Sequence, residues 1–236
     1  MKDSRPLYKM FSSVTPSYDL INRLFSGRQD ERWRKKAARI ILEDEPQCVM
    51  DLCTGTGDLA MHIAGIAKAG VEITGFDYSR PMLDIAERKA QKFQAGRIGF
   101  ILGDAADMPF TDGYFGAIGI AFAFRNLTYR NTDSQKFLAE IYRVLRPGGR
   151  FVIVESSQPA NRLLRFLFHT YTKTMVYYLG SWISGNKTAY RYLANSVIDY
   201  FTPGKVTVLL QKSGFAEVRH IPLMGGVAAI HVAIKK

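Results

Sequence analysis

The chain has 236 residues, 47% of them hydrophobic, which suffices for one α/β domain with a true core and is too short for two of ordinary size. The opening MKDSRPLYKMFSS lacks an apolar signal segment, and no run of about 18 uncharged apolar residues follows, so a cytoplasmic chain is expected. The net charge of +11 is uneven: residues 1–40 carry +6, 41–156 carry −3 and 157–236 carry +8, which fits a nucleic acid, an anionic membrane surface or a merely basic exterior.

Thr15-Pro16 reads as a helix start, with Tyr18, Leu20, Ile21, Leu24 and Phe25 supplying apolar positions of a helix over 16–25. Trp33, Ala37, Ile40 and Ile41 predict a second helix from about Asp30 to Leu42, stopped before Pro46. Short apolar runs at 47–53, 72–77, 98–103, 115–124 and 150–156 then alternate with helical patterns such as PMLDIAERKAQKF and DSQKFLAEIYRVL. That alternation predicts a mostly parallel sheet with helices on both faces. Residues 158–200 read as a helical cap, and two strand-like runs joined by Met224-Gly225-Gly226 read as a closing antiparallel hairpin.

The segment DLCTGTGDLA, residues 51–60, follows the first strand and carries Gly55 and Gly57 in the G-x-G-x-x-A spacing of nucleotide-binding turns. A glycine pair between strand and helix also serves packing alone. Asp77 closes the second strand, where a carboxylate accepts both ribose hydroxyls or caps the helix that starts near Pro81. No tyrosine has a lysine four positions on, so the acid/base pair of a nicotinamide enzyme is missing. Asp51, four residues before Gly55, instead suits the ammonium of a methionine-derived cofactor.

Arg125-Asn126 is expected at the end of the most apolar strand, facing a pocket, with a structural salt bridge to an acidic rim residue as the alternative. Glu155, at the end of the fifth strand, is a further pocket candidate or a capped strand end. Cys48 and Cys53 lie roughly 16 Å apart at strand rise, too far to be bridged. With four scattered histidines they give no metal-ligand spacing, so no metal is expected.

Taken together, YDLINRLFSGRQDERW (18–33), DLCTGTGDLA, GFDYSRPML (75–83), GDAADMPF (103–110), IAFAFRN (120–126), RVLRPGGRFVIVES (143–156) and AYRYL (189–193) resemble a class I S-adenosylmethionine methyltransferase. Within that group the chain is similar to the menaquinone/ubiquinone biosynthesis C-methyltransferase family, over nearly its whole length. It departs from the family pattern at Ile21 (often Met), Asp30 (His), Arg146 (Lys) and Ala121, where some relatives have Ser and only backbone or packing contact is left.

The resemblance implies a single Rossmann-like domain: N-terminal helices at 1–45, a cofactor core at 46–157, a substrate cap at 158–200 and a C-terminal helix with hairpin at 201–236. It implies cofactor contacts at Thr56, Asp77, Tyr78, Asp104, Ala105 and Ala121 beside Asp51, Gly55 and Gly57. The DAADMPF segment that supplies Asp104 and Ala105 also reads as a plain loop turning at Pro109. Arg125 and Asn126 are implied as catalytic, and Tyr18, Tyr190 and Tyr192 as substrate contacts. The reaction implied is methylation of a ring carbon of a prenylated quinol, with S-adenosylhomocysteine as product. The apolar cap and basic flanks suit peripheral docking on the inner face of the cell membrane, with no nucleic-acid partner expected and a homodimer left open. An RNA or small-metabolite methyltransferase and a non-catalytic nucleotide-binding module are the rival readings.

Overall fold

The computed structural model describes residues 23, 26–93 and 96–236. The helix expected over 16–25 and Tyr18 lie outside them. In chain order the core elements are α1 (Gln29–Ile41), β1 (Cys48–Leu52), α2 (Asp58–Ile66), β2 (Glu72–Asp77), α3 (Arg80–Lys92), β3 (Ile98–Leu102), β4 (Phe115–Ala121), α4 (Phe124–Thr128), α5 (Ser134–Val144) and β5 (Leu145–Ser156). The remainder is α6 (Arg162–Tyr171), a π-helical stretch (Thr172–Leu179), α7 (Gly180–Ser184), α8 (Lys187–Ile198), α9 (Pro203–Lys212), β6 (Phe215–Leu223) and β7 (Ala228–Lys235).

Seven strands form one sheet in the order β3-β2-β1-β4-β5-β7-β6. The first five are parallel, and β7 runs antiparallel to both β5 and β6. This is the Rossmann-like α/β fold with a C-terminal hairpin that the sequence predicts. Its strands read as continuous apolar runs because both faces are covered. Met50, Ile118 and Ile153 pack on the side of α5 and α9, whereas their neighbours Val49, Ala117 and Val152 pack on the side of α1 and α2.

Two predicted boundaries shift. β5 begins at Leu145 and includes the RPGG segment, with its register slipping against β4 between Phe115 and Ala117. β4 ends at Ala121 and does not continue to Phe124. Phe122 turns the chain with φ 59°, its N–H donating to the Val154 carbonyl at 2.8 Å, and α4 begins two residues later.

Helix α1 is held to the sheet from both ends of one contact. Buried Arg150 of β5 donates to the Ile40 carbonyl at 2.8 Å and to Glu43 at 2.7 Å, and also pairs with Asp44. Under the helix, β4 offers Gly119: a Cβ there would lie 2.5 Å from Ile41 Cδ1 and 3.0 Å from Leu59 Cδ2. Gly119→Val should therefore lower the urea midpoint by the equivalent of about 1–3 kcal/mol, with far-ultraviolet circular dichroism unchanged. A midpoint equal to that of the parent chain would show that α1 does not need this close approach.

Candidate active site

The carboxyl ends of β1 to β4 open onto a cavity of about 850 Å³, within the range of small-molecule sites. Its floor is the turn after β1, where Cys53, Gly55 and Gly57 have φ of 53°, 55° and 84°. The turn is clipped to β2: Thr54 N–H donates to the Phe76 carbonyl at 3.0 Å and Gly55 N–H to Asp77 Oδ2 at 2.8 Å. Gly55 and Thr56 line the cavity and Gly57 does not. Gly57 answers a packing need instead, since a Cβ there would lie 3.1 Å from the Ala86 Cβ of α3.

Four acidic positions surround this floor. Buried Asp51 accepts two bonds on one oxygen, Oδ2, from Thr54 Oγ1 at 2.6 Å and from Ala60 N–H at 2.9 Å. Its Oδ1 has no partner among the described residues, and burial pushes its carboxyl up to about 7. Asp77 takes Gly55 N–H on Oδ2 and Ser79 N–H on Oδ1, both at 2.8 Å, so it caps the turn before α3 and also lines the cavity. Each of its oxygens retains acceptor capacity for a hydroxyl. Burial raises its carboxyl, and the backbone N–H donors oppose that. Asp104 Oδ1 accepts Ala106 N–H at 2.9 Å, and Asp58 is paired with Lys89. Cys53, among Asp77, Asp51 and Asp104, has its thiol raised well above the usual value by burial first and by those charges second.

Tyr78, Ala105 and Ala121 line the same cavity, as the resemblance implies. The cavity is also lined by Asn126, Leu127, Tyr129, Phe137 and, from α8, Tyr192. Asn126 Oδ1 is buried without a partner among the described residues. Tyr190 is not at the cavity: it is buried, and fills the space over Gly180 that a Cβ would enter at 2.3 Å.

Arg125 requires a correction. Because the strand stops at Ala121, the residue sits in the first turn of α4 and points away from the cavity lining. Its Nη1 donates to Glu155 Oε1 at 2.7 Å, and its backbone N–H donates to Oε2 at 3.0 Å. Both side chains are buried, so the salt-bridge alternative is the one present.

Sequence reasoning missed two groups. Arg34 of α1 lines the cavity from the helix's buried stripe, where a basic residue at i−3 from Ala37 was the available signal. Asn195, Ser196 and Asp199 line it with Tyr192, a polar row at helical spacing inside the cap.

The sequence matches the ubiE/COQ5 methyltransferase family over residues 1–235. The chain belongs to that family. It is 44% identical over 223 residues to the demethylmenaquinone methyltransferase of Thermus thermophilus, covering 94% of this chain and 98% of that one. It is 37% identical to the ubiquinone/menaquinone biosynthesis C-methyltransferase UbiE of Geobacter sp. strain M21, covering 96% and 94%. Among solved structures it is similar to an S-adenosylmethionine-dependent methyltransferase from Aquifex aeolicus, with TM-score 0.58 and 17% identity over 80% of this chain and 82% of that one. A phosphoethanolamine N-methyltransferase from Haemonchus contortus, solved with S-adenosylmethionine, gives TM-score 0.60 and 16% identity, covering 84% and 52%. The chain is thus an S-adenosylmethionine-dependent methyltransferase, and the reading as a non-catalytic binding module falls away.

The donor set suits that cofactor on its own terms. A buried carboxylate with a vacant oxygen suits a cation, and the Asp77 and Asp104 carboxylates line the same cavity as hydrogen-bond acceptors. Without ligand, the raised carboxyl of Asp51 contributes stability that is complete below about pH 4 and is lost as pH rises through about 7. A bound ammonium needs the ionised form, so binding below that pH expels a proton. Calorimetric titration with S-adenosylhomocysteine should show affinity rising up to tenfold per pH unit toward pH 7 and then levelling. Asp51→Asn should flatten the profile, and a flat profile in the parent chain would remove Asp51 from the ammonium site.

Proposed function

We propose that this methyltransferase acts on a ring carbon of a prenylated quinol, with demethylmenaquinol as the first substrate to test. The observation that carries the reading is that a single cavity joins the acidic donor end to an aromatic and amide-bearing wall of α4, the 129–137 segment and α8. Relatives named for this reaction on menaquinone and ubiquinone precursors support the substrate class.

When bound, S-adenosylmethionine supplies a methyl group that departs its sulfur without the bonding electron pair. The protein's share is to orient the acceptor and exclude water. Asn126 brings its side-chain amide to the cavity wall as the hydrogen-bonding group for a ring hydroxyl, and Tyr192 of α8 lines the same cavity. Arg125 acts one step back: with Glu155 it fixes the first turn of α4 and thereby the position of Asn126. The incoming methyl requires an electron-rich carbon. A hydroquinone supplies oxygen lone-pair density to the ring, whereas a quinone withdraws it. Transfer of labelled methyl to a demethylmenaquinone analogue should proceed only after chemical reduction of the ring. Equal rates on the two redox forms would reject the mechanism.

A prenylated substrate resides in a bilayer, and the cap is suited to reach one. Helix α6 buries none of its residues, and Phe166, Tyr178 and Trp182 are 66%, 68% and 81% exposed. Residues 157–198 contain five basic side chains and no acidic one. No helix among the described residues is long and apolar enough to cross a membrane, so the contact would be peripheral, on the inner face of the cell membrane. Co-sedimentation with phosphatidylglycerol vesicles should exceed that with phosphatidylcholine vesicles and fall in high salt. Phe166→Ser/Trp182→Ser should weaken it, and no sedimentation at any salt would return the cap to a purely structural role.

A further inference from the structure

We infer that Arg34 receives the carboxylate of the donor's amino-acid end, so that α1 completes a cofactor site otherwise built on the sheet. The inference rests on the S-adenosylmethionine reading of the cavity. Arg34 lies outside every sequence segment at the carboxyl edge of the sheet, yet it lines the same cavity as Asp51, Thr56 and Asp58 and is 7% exposed.

Its guanidinium is held rigidly and used only in part. Nη1 donates to Asp30 Oδ2 at 2.5 Å, and Asp30 Oδ1 accepts Ser26 Oγ at 2.5 Å, so the carboxylate behind the arginine is engaged at both oxygens. The cationic carbon stands 5.1 Å from the centre of the Phe122 ring, at the turn where β4 ends. The other N–H groups of Arg34 have no acceptor among the described residues. Its charge is balanced by Asp30 and by the nearby Asp58 carboxylate, while the donors it leaves vacant have the planar geometry that matches a further carboxylate.

The companion group is already nearby. Arg34 is close enough for its charge to draw the Asp51 carboxyl downward against the effect of burial. In an α-amino acid the ammonium and carboxylate share one carbon, so their partners must also be neighbours. Asp51 and Arg34 offer such a pair, one acceptor and one donor in the wall of a single cavity.

The test compares two ligands that differ only by the amino-acid portion, S-adenosylhomocysteine and 5′-methylthioadenosine, by calorimetric titration of the full chain. Arg34→Met should lose about 10- to 100-fold in affinity for S-adenosylhomocysteine, with 5′-methylthioadenosine bound within twofold of the parent. Arg34→Lys, which keeps a cation against Asp30, should recover part of the loss and carries the same comparison if the methionine variant does not fold. Equal losses on both ligands would make Arg34 a structural partner of Asp30 and overturn the inference alone, as would no loss on either. A parent chain that binds neither ligand would overturn the donor reading and this inference together.

Discussion

Between β1 and β4 the order of the sheet reverses, the chain continuing from β1 toward β2 on one side and from β4 toward β5 on the other. Everything at the site follows from that divergence. The residues that end the strands, Asp51 and Cys53, Asp77, Asp104, and Ala121 with Phe122, converge on one crevice with little else to fill it. The same divergence leaves tight turns to be made at the rim. Non-glycine residues with positive φ cost of order 1–3 kcal/mol each, and Cys53 and Phe122 both stand there. Their turns are held by neighbouring strands, through Thr54 N–H to Phe76 and Phe122 N–H to Val154.

The charge distribution is inverted between exterior and crevice. A chain of net charge +11 gathers Asp51, Asp58, Asp77 and Asp104 at one crevice, while residues 157–198 contain no acidic side chain. The cost of gathering acids indoors is limited by neutral and ionic partners chosen one by one: two donors on a single oxygen of Asp51, backbone N–H groups on Asp77 and Lys89 on Asp58. Glu155 is the case solved within the protein, by Arg125. Such a pair is weak evidence for stability but strongly resists loss of one member, which suits an element that must hold a neighbouring amide in place.

The parallel strands were legible because burial on both faces writes continuous apolar runs, and the hairpin because two such runs flank Met224-Gly225-Gly226. The end of β4 was not legible. FGAIGIAFAF stays apolar through Phe124, since Phe124 is as buried in α4 as it would be in a strand. Hydrophobicity therefore carries no mark of the turn at Phe122; extending the strand puts Arg125 at the pocket, and ending it at Ala121 leaves the salt-bridge alternative. Asp51, Gly55, Thr56, Asp77 and Asp104 were found from spacing or resemblance and do share the cavity. Gly57 and Tyr190 do not, because packing against Ala86 and Gly180 demands the same residue types as binding would. Arg34 and Asn195 escaped notice because they join the site from helices distant in sequence, which only the tertiary fold brings to the rim.

Cys53 lends the cavity a chemical tolerance. Oxidised quinone rings are electrophilic alkenes that arylate thiolates by conjugate addition, and only the thiolate form is a competent nucleophile. Burial and three surrounding aspartates hold the Cys53 sulfur in its protonated state, and Cys48 is displaced in the same direction by burial and by Glu72. A thiol in the wall of a cavity that also admits a quinone ring would otherwise be a self-inactivation point. The carboxylates that line the cavity thus also keep the sulfur of the protein itself in its unreactive form.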